Sequence, residues 1–197
     1  RYQGHNARAM ALYDESLTMT RATGDTEGVA ISLSNLAEVA RDTGDLERMA
    51  ALSEESLALF RELGDQRGIA ASLTYLGILA CESGDYTRAL ALYKESLELC
   101  RRVGERSRIA TCLEGLAEVA AALGHETHAA RLLSAAATLR DTIGAPLPPA
   151  DQRNYDRTVA AVRSTLGHGF HTAWAAGQAQ PLEQVVHEAL MLEGTAG

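Results

Sequence analysis

The side chains best suited to metal or nucleophile chemistry in this chain are six histidines and three cysteines. His125 and His128 stand three apart, as do His168 and His171, an offset that puts two imidazoles on one helical face. Neither pair has a third ligand at a matching offset, and the first pair spans a helix start, so solvated histidines are expected. Cys81, Cys100 and Cys112 are odd in number, lack CxxC spacing and fall inside apolar helical stretches. They read as small buried hydrophobes of a reducing compartment rather than as nucleophiles. The glycines never cluster as GxxxxGK[ST] or GxGxxG, and no GxSxG elbow is present. The expectation is a chain with no catalytic residue, cofactor or metal, and a hydrolase or metalloenzyme is the least supported of the readings.

The glycines do something else. Gly4, Gly24, Gly44, Gly64, Gly84, Gly104, Gly124 and Gly144 recur every 20 residues without slippage, which marks a copied structural unit. Between them the pattern is helical: Val29, Leu33, Leu36 and Ala40 share one face, as do Ile69, Leu73, Leu76 and Ala80, and Ile109, Leu113, Leu116 and Ala120. The alternate segments carry Leu12, Leu52, Leu92 and Leu132 instead, so the unit is 40 residues and two unlike helices. Each helix is about 17 residues, about 25 Å long. Each glycine is expected to end a helix in the left-handed region, and the Asp after it at 25, 45, 65 and 85 to cap the next one. The later copies, Gly104-Glu105, Gly124-His125 and Gly144-Ala145, weaken that punctuation.

Small residues mark where helices touch: Ala37, Gly77 and Ala117 on the first helix, and Ala9, Met49, Ala89 and Ala129 on the second. Ser16, Ser56 and Ser96 follow, with a hydroxyl that can bond back to the carbonyl four residues earlier. In this register Leu36-Ala37…Gly44-Asp45…Met49, Leu76-Gly77…Gly84-Asp85…Ala89…Tyr93…Ser96 and Leu116-Ala117…Gly124…Ala129…Ala136 resemble the tetratricopeptide repeat, with longer helices than usual. Asp14-Glu15-Ser16-Leu17, Glu54-Glu55-Ser56-Leu57 and Lys94-Glu95-Ser96-Leu97 resemble the variant found in large bacterial signal-transduction ATPases, often joined to a LuxR-type or AfsR-type DNA-binding domain. The implied fold is all-α: a right-handed α-solenoid over residues 1–144, one orphan helix plus three pairs, with a C-terminal helical cap over 145–197.

Ala145-Pro146-Leu147-Pro148-Pro149-Ala150 cannot continue a helix. After an N-cap at Asp151, Tyr155, Val159, Val162 and Leu166 form a helical stripe that Gly167-His168-Gly169 breaks. A short helix around Phe170–Ala176 carries Trp174, and a last one begins at Gln180-Pro181 with Leu182, Val185, Val186, Ala189 and Leu190 inward. The series resembles the segment that closes the repeat arm of those regulators, and physically it is a cap for the last repeat. Phe170 and Trp174 read as core packing in preference to a ligand pocket.

Net charge is −8, without a block of like charge, which argues against gripping nucleic acid phosphates or anionic lipid. No apolar run reaches the roughly 18 residues of a membrane span. By the resemblance, the first helices line a concave groove through Ser34, Asn35, Glu38 and Arg41, Thr74, Tyr75, Ile78 and Glu82, and Glu114 and Glu118. An acidic rim around Tyr75 and Ile78 suits a basic or mixed apolar–cationic protein or peptide, or a small effector. The expected function is therefore the interaction or effector-sensing arm of a cytoplasmic bacterial transcriptional regulator, with a free-standing scaffold as the alternative. The chain is expected to start within an array that continues upstream, leaving an apolar face on the helix at 5–23 that self-associates.

Overall fold

The computed structural model describes residues 2–194, with side chains from Asn6 onward. The described residues form α1 (Tyr2–Thr23), α2 (Thr26–Thr43), α3 (Leu46–Leu63), α4 (Gln66–Glu82), α5 (Tyr86–Val103), α6 (Arg106–Ala122) and α7 (Glu126–Ile143). Then come α8 (Pro149–Leu166), α9 (Gly169–Ala179) and α10 (Leu182–Leu190), and no strand is present among the described residues.

Turn chemistry sets the boundaries. Gly24 and its successors through Gly144 all have φ between 65° and 81°, the left-handed region that a Cβ disfavours. Gly4 departs from expectation, because it lies inside α1 instead of ending a helix. Asp25, Asp45, Asp65 and Asp85 accept hydrogen bonds from the backbone N–H groups of Gly28, Arg48, Arg67 and Arg88 at 2.9–3.1 Å. Glu105 and His125 occupy the same position without a side-chain cap bond.

Successive helices pack as antiparallel hairpins. The first helices α2, α4 and α6 approach one another directly, forming the inner, concave layer. The second helices are joined instead by long side chains. Asp14–Arg48 (3.0 Å) and Arg21–Glu55 (2.6 Å) link α1 to α3, and Glu54–Arg88 (3.9 Å) and Arg61–Glu95 (3.2 Å) link α3 to α5. These pairs are exposed and contribute little energy each, but they trace the outer layer of an α-solenoid.

The serines behave differently from expectation. Ser16 lies 3.0 Å from Ser32, Ser56 lies 2.8 Å from Ser72, and Cys112 donates to Ser96 Oγ at 3.3 Å. Each second helix therefore reaches the next first helix through a polar pair across the repeat junction, which satisfies Ser16, Ser56 and Ser96 without an i−4 back-bond, while Ser72 keeps one to the Gly68 carbonyl at 3.1 Å. Ser56 adds a bond to the Ser53 carbonyl three residues back.

The outer ladder stops between α5 and α7, where Lys94 faces the His128 position and Ala135 replaces an acid opposite Arg101. There the chain after Gly144 returns. Helix α9 packs along α7, with Gly177 against the Arg131 backbone and Ser134. Helix α10 seats Val185, Val186 and Ala189 on the α5–α7 surface, and Arg131 pairs with Glu188 at 3.2 Å. Helix α8 instead crosses to the inner layer, against α6, α7 and α2.

Candidate interaction groove

The inner surfaces of α2, α4 and α6 bring most of the expected groove residues together. Ser34 and Asn35 are half-buried on α2, and Glu38 is exposed beside them. Arg41 closes that helix with its side chain only 12% exposed. Ile78 and Glu82 follow on α4, and Glu114 and Glu118 on α6. Thr74 lies elsewhere: fully buried, it donates to the Ala70 carbonyl at 2.8 Å and lies 2.9 Å from Ser96 Oγ on α5. A threonine one step round the helix is drawn into the core because its hydroxyl finds two partners there.

Tyr75 is sunk into the groove wall rather than displayed on it. Its ring packs with Ala37, Ala40 and Met49, between the guanidinium of Arg41 at 5.7 Å and that of Arg108 at 5.9 Å. Burial, with help from Glu38, raises its pKa against the pull of the two arginines.

The acidic rim is largely satisfied from within the chain. Arg140 of α7 grips Glu114 in a bidentate pair at 2.6 and 2.7 Å and donates to Thr111 at 3.1 Å. Burial still pushes the Glu114 pKa up, more than Arg140 pulls it down. Glu118, 8% exposed, accepts from Asn154 and, at 3.0 Å, from Arg157, both on α8. Asp151 at the start of α8 stands 3.7 Å from Arg41. Burial raises the Asp151 pKa, opposed by Arg41 and Arg140. The mixed apolar–cationic occupant expected of this groove is thus partly supplied by α8, and Glu38 and Glu82 remain the exposed acids on its inner wall.

Beneath α8 a cavity of about 320 Å³ remains, bounded by Ile78, Glu118, Asp151, Asn154, Tyr155 and Tyr93. Tyr93 comes from the outer layer. Its ring passes between α4 and α6 because Gly77 and Gly115 present no side chain there, and a Cβ on Gly77 would stand 2.8 Å from the ring. Tyr93, Arg140 and the polar face of α8 were not legible as groove residues. Tyr93 shows in the sequence only as one large residue of the repeat register.

The other chemistry-bearing residues are absorbed by packing. Phe170 is 2% exposed and its ring lies 5.3 Å from Trp174, with Arg163 over its other side at 4.7 Å. The three cysteines are buried free thiols. Burial raises the Cys81 pKa, and a hydrogen bond with Cys112 together with burial raises that of Cys100. Among the described residues no three His, Cys, Asp or Glu side chains gather as a metal site would require. No described helix is long and apolar enough to cross a membrane.

The family described as tetratricopeptide repeat matches residues 28–102 and again residues 68–142, two registers displaced by one 40-residue unit and together spanning more than half of the chain. A search of the curated proteins finds no match.

Proposed function

The chain belongs to the tetratricopeptide repeat family, and we propose that it is a non-catalytic protein-interaction domain whose binding face is the groove of α2, α4 and α6. The observation that carries this reading is the convergence of polar side chains from three successive repeats, Asn35, Arg41, Glu82 and Glu118, on one concave surface already fitted to a helix. Photo-crosslinkers placed at Asn35 and Glu38, with Glu47 on the outer layer as control, test it. Partner adducts from the two groove positions are expected, and adducts from Glu47 alone would reject it.

A finer reading makes the domain the effector-sensing arm of a cytoplasmic bacterial transcriptional regulator, with a protein, peptide or small effector biasing a distant switch domain. Its support is the series from Ala145 through Val186, which resembles the segment closing the arm in such proteins. A parent gene encoding a phosphate-binding loop alongside this chain is the expected outcome. A gene without any nucleotide-binding domain would leave the scaffold reading.

A further inference from the structure

We propose that α8 is a displaceable intramolecular occupant of the groove, and that the external partner is an amphipathic helix presenting the same side-chain pattern. The proposal rests on the groove-binding reading above and names both its regulation and the partner.

Helix α8 is held less firmly than its neighbours. Of its 18 residues it buries Thr158 and Val162, whereas the 18 residues of α5 and of α7 bury seven and nine. Even α9 and α10, of 11 and 9 residues, bury three each. The Tyr155, Val159 and Leu166 side chains of α8 are only partly buried against the core, and local opening follows sparse apolar contact, so α8 is expected to open before α7, α9 and α10.

Both of its ends are breaks. Residues 145–148 form no helix, and Gly167 takes φ 52° and ψ −122°, a conformation that disfavours any side chain. The segments beyond those breaks are anchored mainly elsewhere: α9 packs along α7 and touches α8 chiefly through Arg163 over Phe170, and Val185 and Val186 of α10 are 1% exposed on the outer layer. Displacing α8 therefore leaves the main anchorage of the cap, on α7 and on the outer layer, in place.

Beside its apolar stripe, the polar contacts of α8 with the groove are incomplete at one end. At 3.7 Å, Arg41 and Asp151 are beyond hydrogen-bonding distance, and Arg41 Nε and Asp151 Oδ2 are buried with no hydrogen-bond partner among the described residues. Such atoms cost free energy in the closed arrangement. The cavity of about 320 Å³ beneath α8 is space that α8 spans without filling, with Ile78 and Tyr93 on its floor among polar neighbours such as Glu118 and Asn154.

These deficits define the better occupant. It is a helix with a carboxylate at the position of Asp151, closer to Arg41, and hydrogen-bonding groups three and four residues on, as at Asn154 and Tyr155. A cation at the position of Arg157 would meet Glu118, and a bulky apolar side chain would fill the space over Ile78. Because the cis helix competes at high effective concentration, the apparent affinity for the partner falls to the intrinsic affinity multiplied by the fraction of time the groove is open.

The probe is a fluorescein-labelled synthetic peptide of residues 148–167, titrated by fluorescence polarisation into the full chain and into the Asp151→Lys, Arg157→Glu variant. The variant is expected to bind the peptide at least about tenfold tighter than wild type, and adding Glu118→Lys is expected to abolish that gain. Equal affinity in wild type and the double variant overturns the proposal, as does tight binding that survives Glu118→Lys. Hydrogen exchange on the unaltered chain needs no folded variant: α8 amides are expected to exchange at least about tenfold faster than those of α6 and α9. Protection of α8 equal to that of α6 overturns the proposal. Groove crosslinks from Asn35 would still stand in that case, so failure of the strap and failure of the groove are told apart.

Discussion

Tyr93 rests against Gly115 because Gly115 has no Cβ: a methyl group there would overlap the phenol ring. The ring is 2% exposed and held between Gly77 and Gly115, so moving off Gly115 forces it against Gly77 or out toward the cavity beneath α8. Gly115→Ala is expected to destabilise the chain by about 1–3 kcal/mol through overpacking, outweighing the roughly 1 kcal/mol that alanine gains in a helix. In a Tyr93→Ala background the same change should be neutral or stabilising, since only propensity remains. Urea denaturation of the four-member cycle measures the coupling. Additive single effects would contradict the wedge.

How much of this was readable beforehand depends on range in the chain. The turn glycines and Asp caps are local, and each announces itself by residue type. The Ser56–Ser72 and Arg21–Glu55 pairs lie farther apart, 16 and 34 residues, yet repetition makes them periodic and therefore visible in principle. Helix α8 has no copy. Its stripe of Tyr155, Val159, Val162 and Leu166 says that one face is covered, but a stripe does not say by what. Only Asp151, Asn154 and Arg157, on the neighbouring positions, match Arg41 and Glu118 in charge and hydrogen bonding, and that match is unrepeated. Thr74 departs from its expected place in the groove for a related reason, since one helical step separates the groove from the α5 interface.

The cap series offers a graded test. Asp45 accepts from Arg48 N at 3.1 Å, while Glu105 makes no cap bond. Asp45→Ala is expected to cost about 1 kcal/mol and Glu105→Ala a few tenths at most. Thermal melts of the two variants decide, and equal losses would remove the side-chain bond as the cause.

Asp151 gives a pH dependence whose sign can be worked out. Its pKa is raised in the folded chain by burial, so the fold binds the proton more readily than the unfolded chain does. Stability from this group is greatest below the ordinary carboxylate pKa and falls as pH rises through the raised value. Asp151→Asn should therefore raise the melting temperature at neutral pH, with the gain shrinking as pH is lowered toward about 4, near the unfolded pKa. A loss of stability at neutral pH in this variant would show that the Arg41 pairing dominates instead.

Ala135 sits where the outer ladder would place an acid opposite Arg101, and it is 6% exposed beside Gly177, Gln180 and Leu182. Arg101 turns to Glu98 at 2.8 Å instead. Ala135→Glu would restore the ladder's charge pattern but bury a carboxylate under the turn from α9 to α10. A cost of about 1–3 kcal/mol is expected, together with faster proteolysis between residues 167 and 181. Unchanged proteolysis would mean that α9 and α10 do not depend on this seat.

Leu12 and Met19 are 56% and 63% exposed and seven residues apart on one face of α1. One and two repeats on, the same positions are Leu52 and Leu59, which pack against Leu33 and Leu36 of the preceding first helix, and Leu92 and Leu99. The exposed pair on α1 is thus a helix-binding face without a helix among the described residues. Self-association of this chain through that face is the expected consequence at high concentration. Sedimentation velocity should show a concentration-dependent shift that Leu12→Glu with Met19→Glu removes while circular dichroism stays unchanged. The swap adds two negative charges at exposed positions, so loss of fold would not be the explanation for a monomer. A strict monomer before substitution would show that this face is tolerated in water, as scattered exposed apolar side chains are on most protein surfaces.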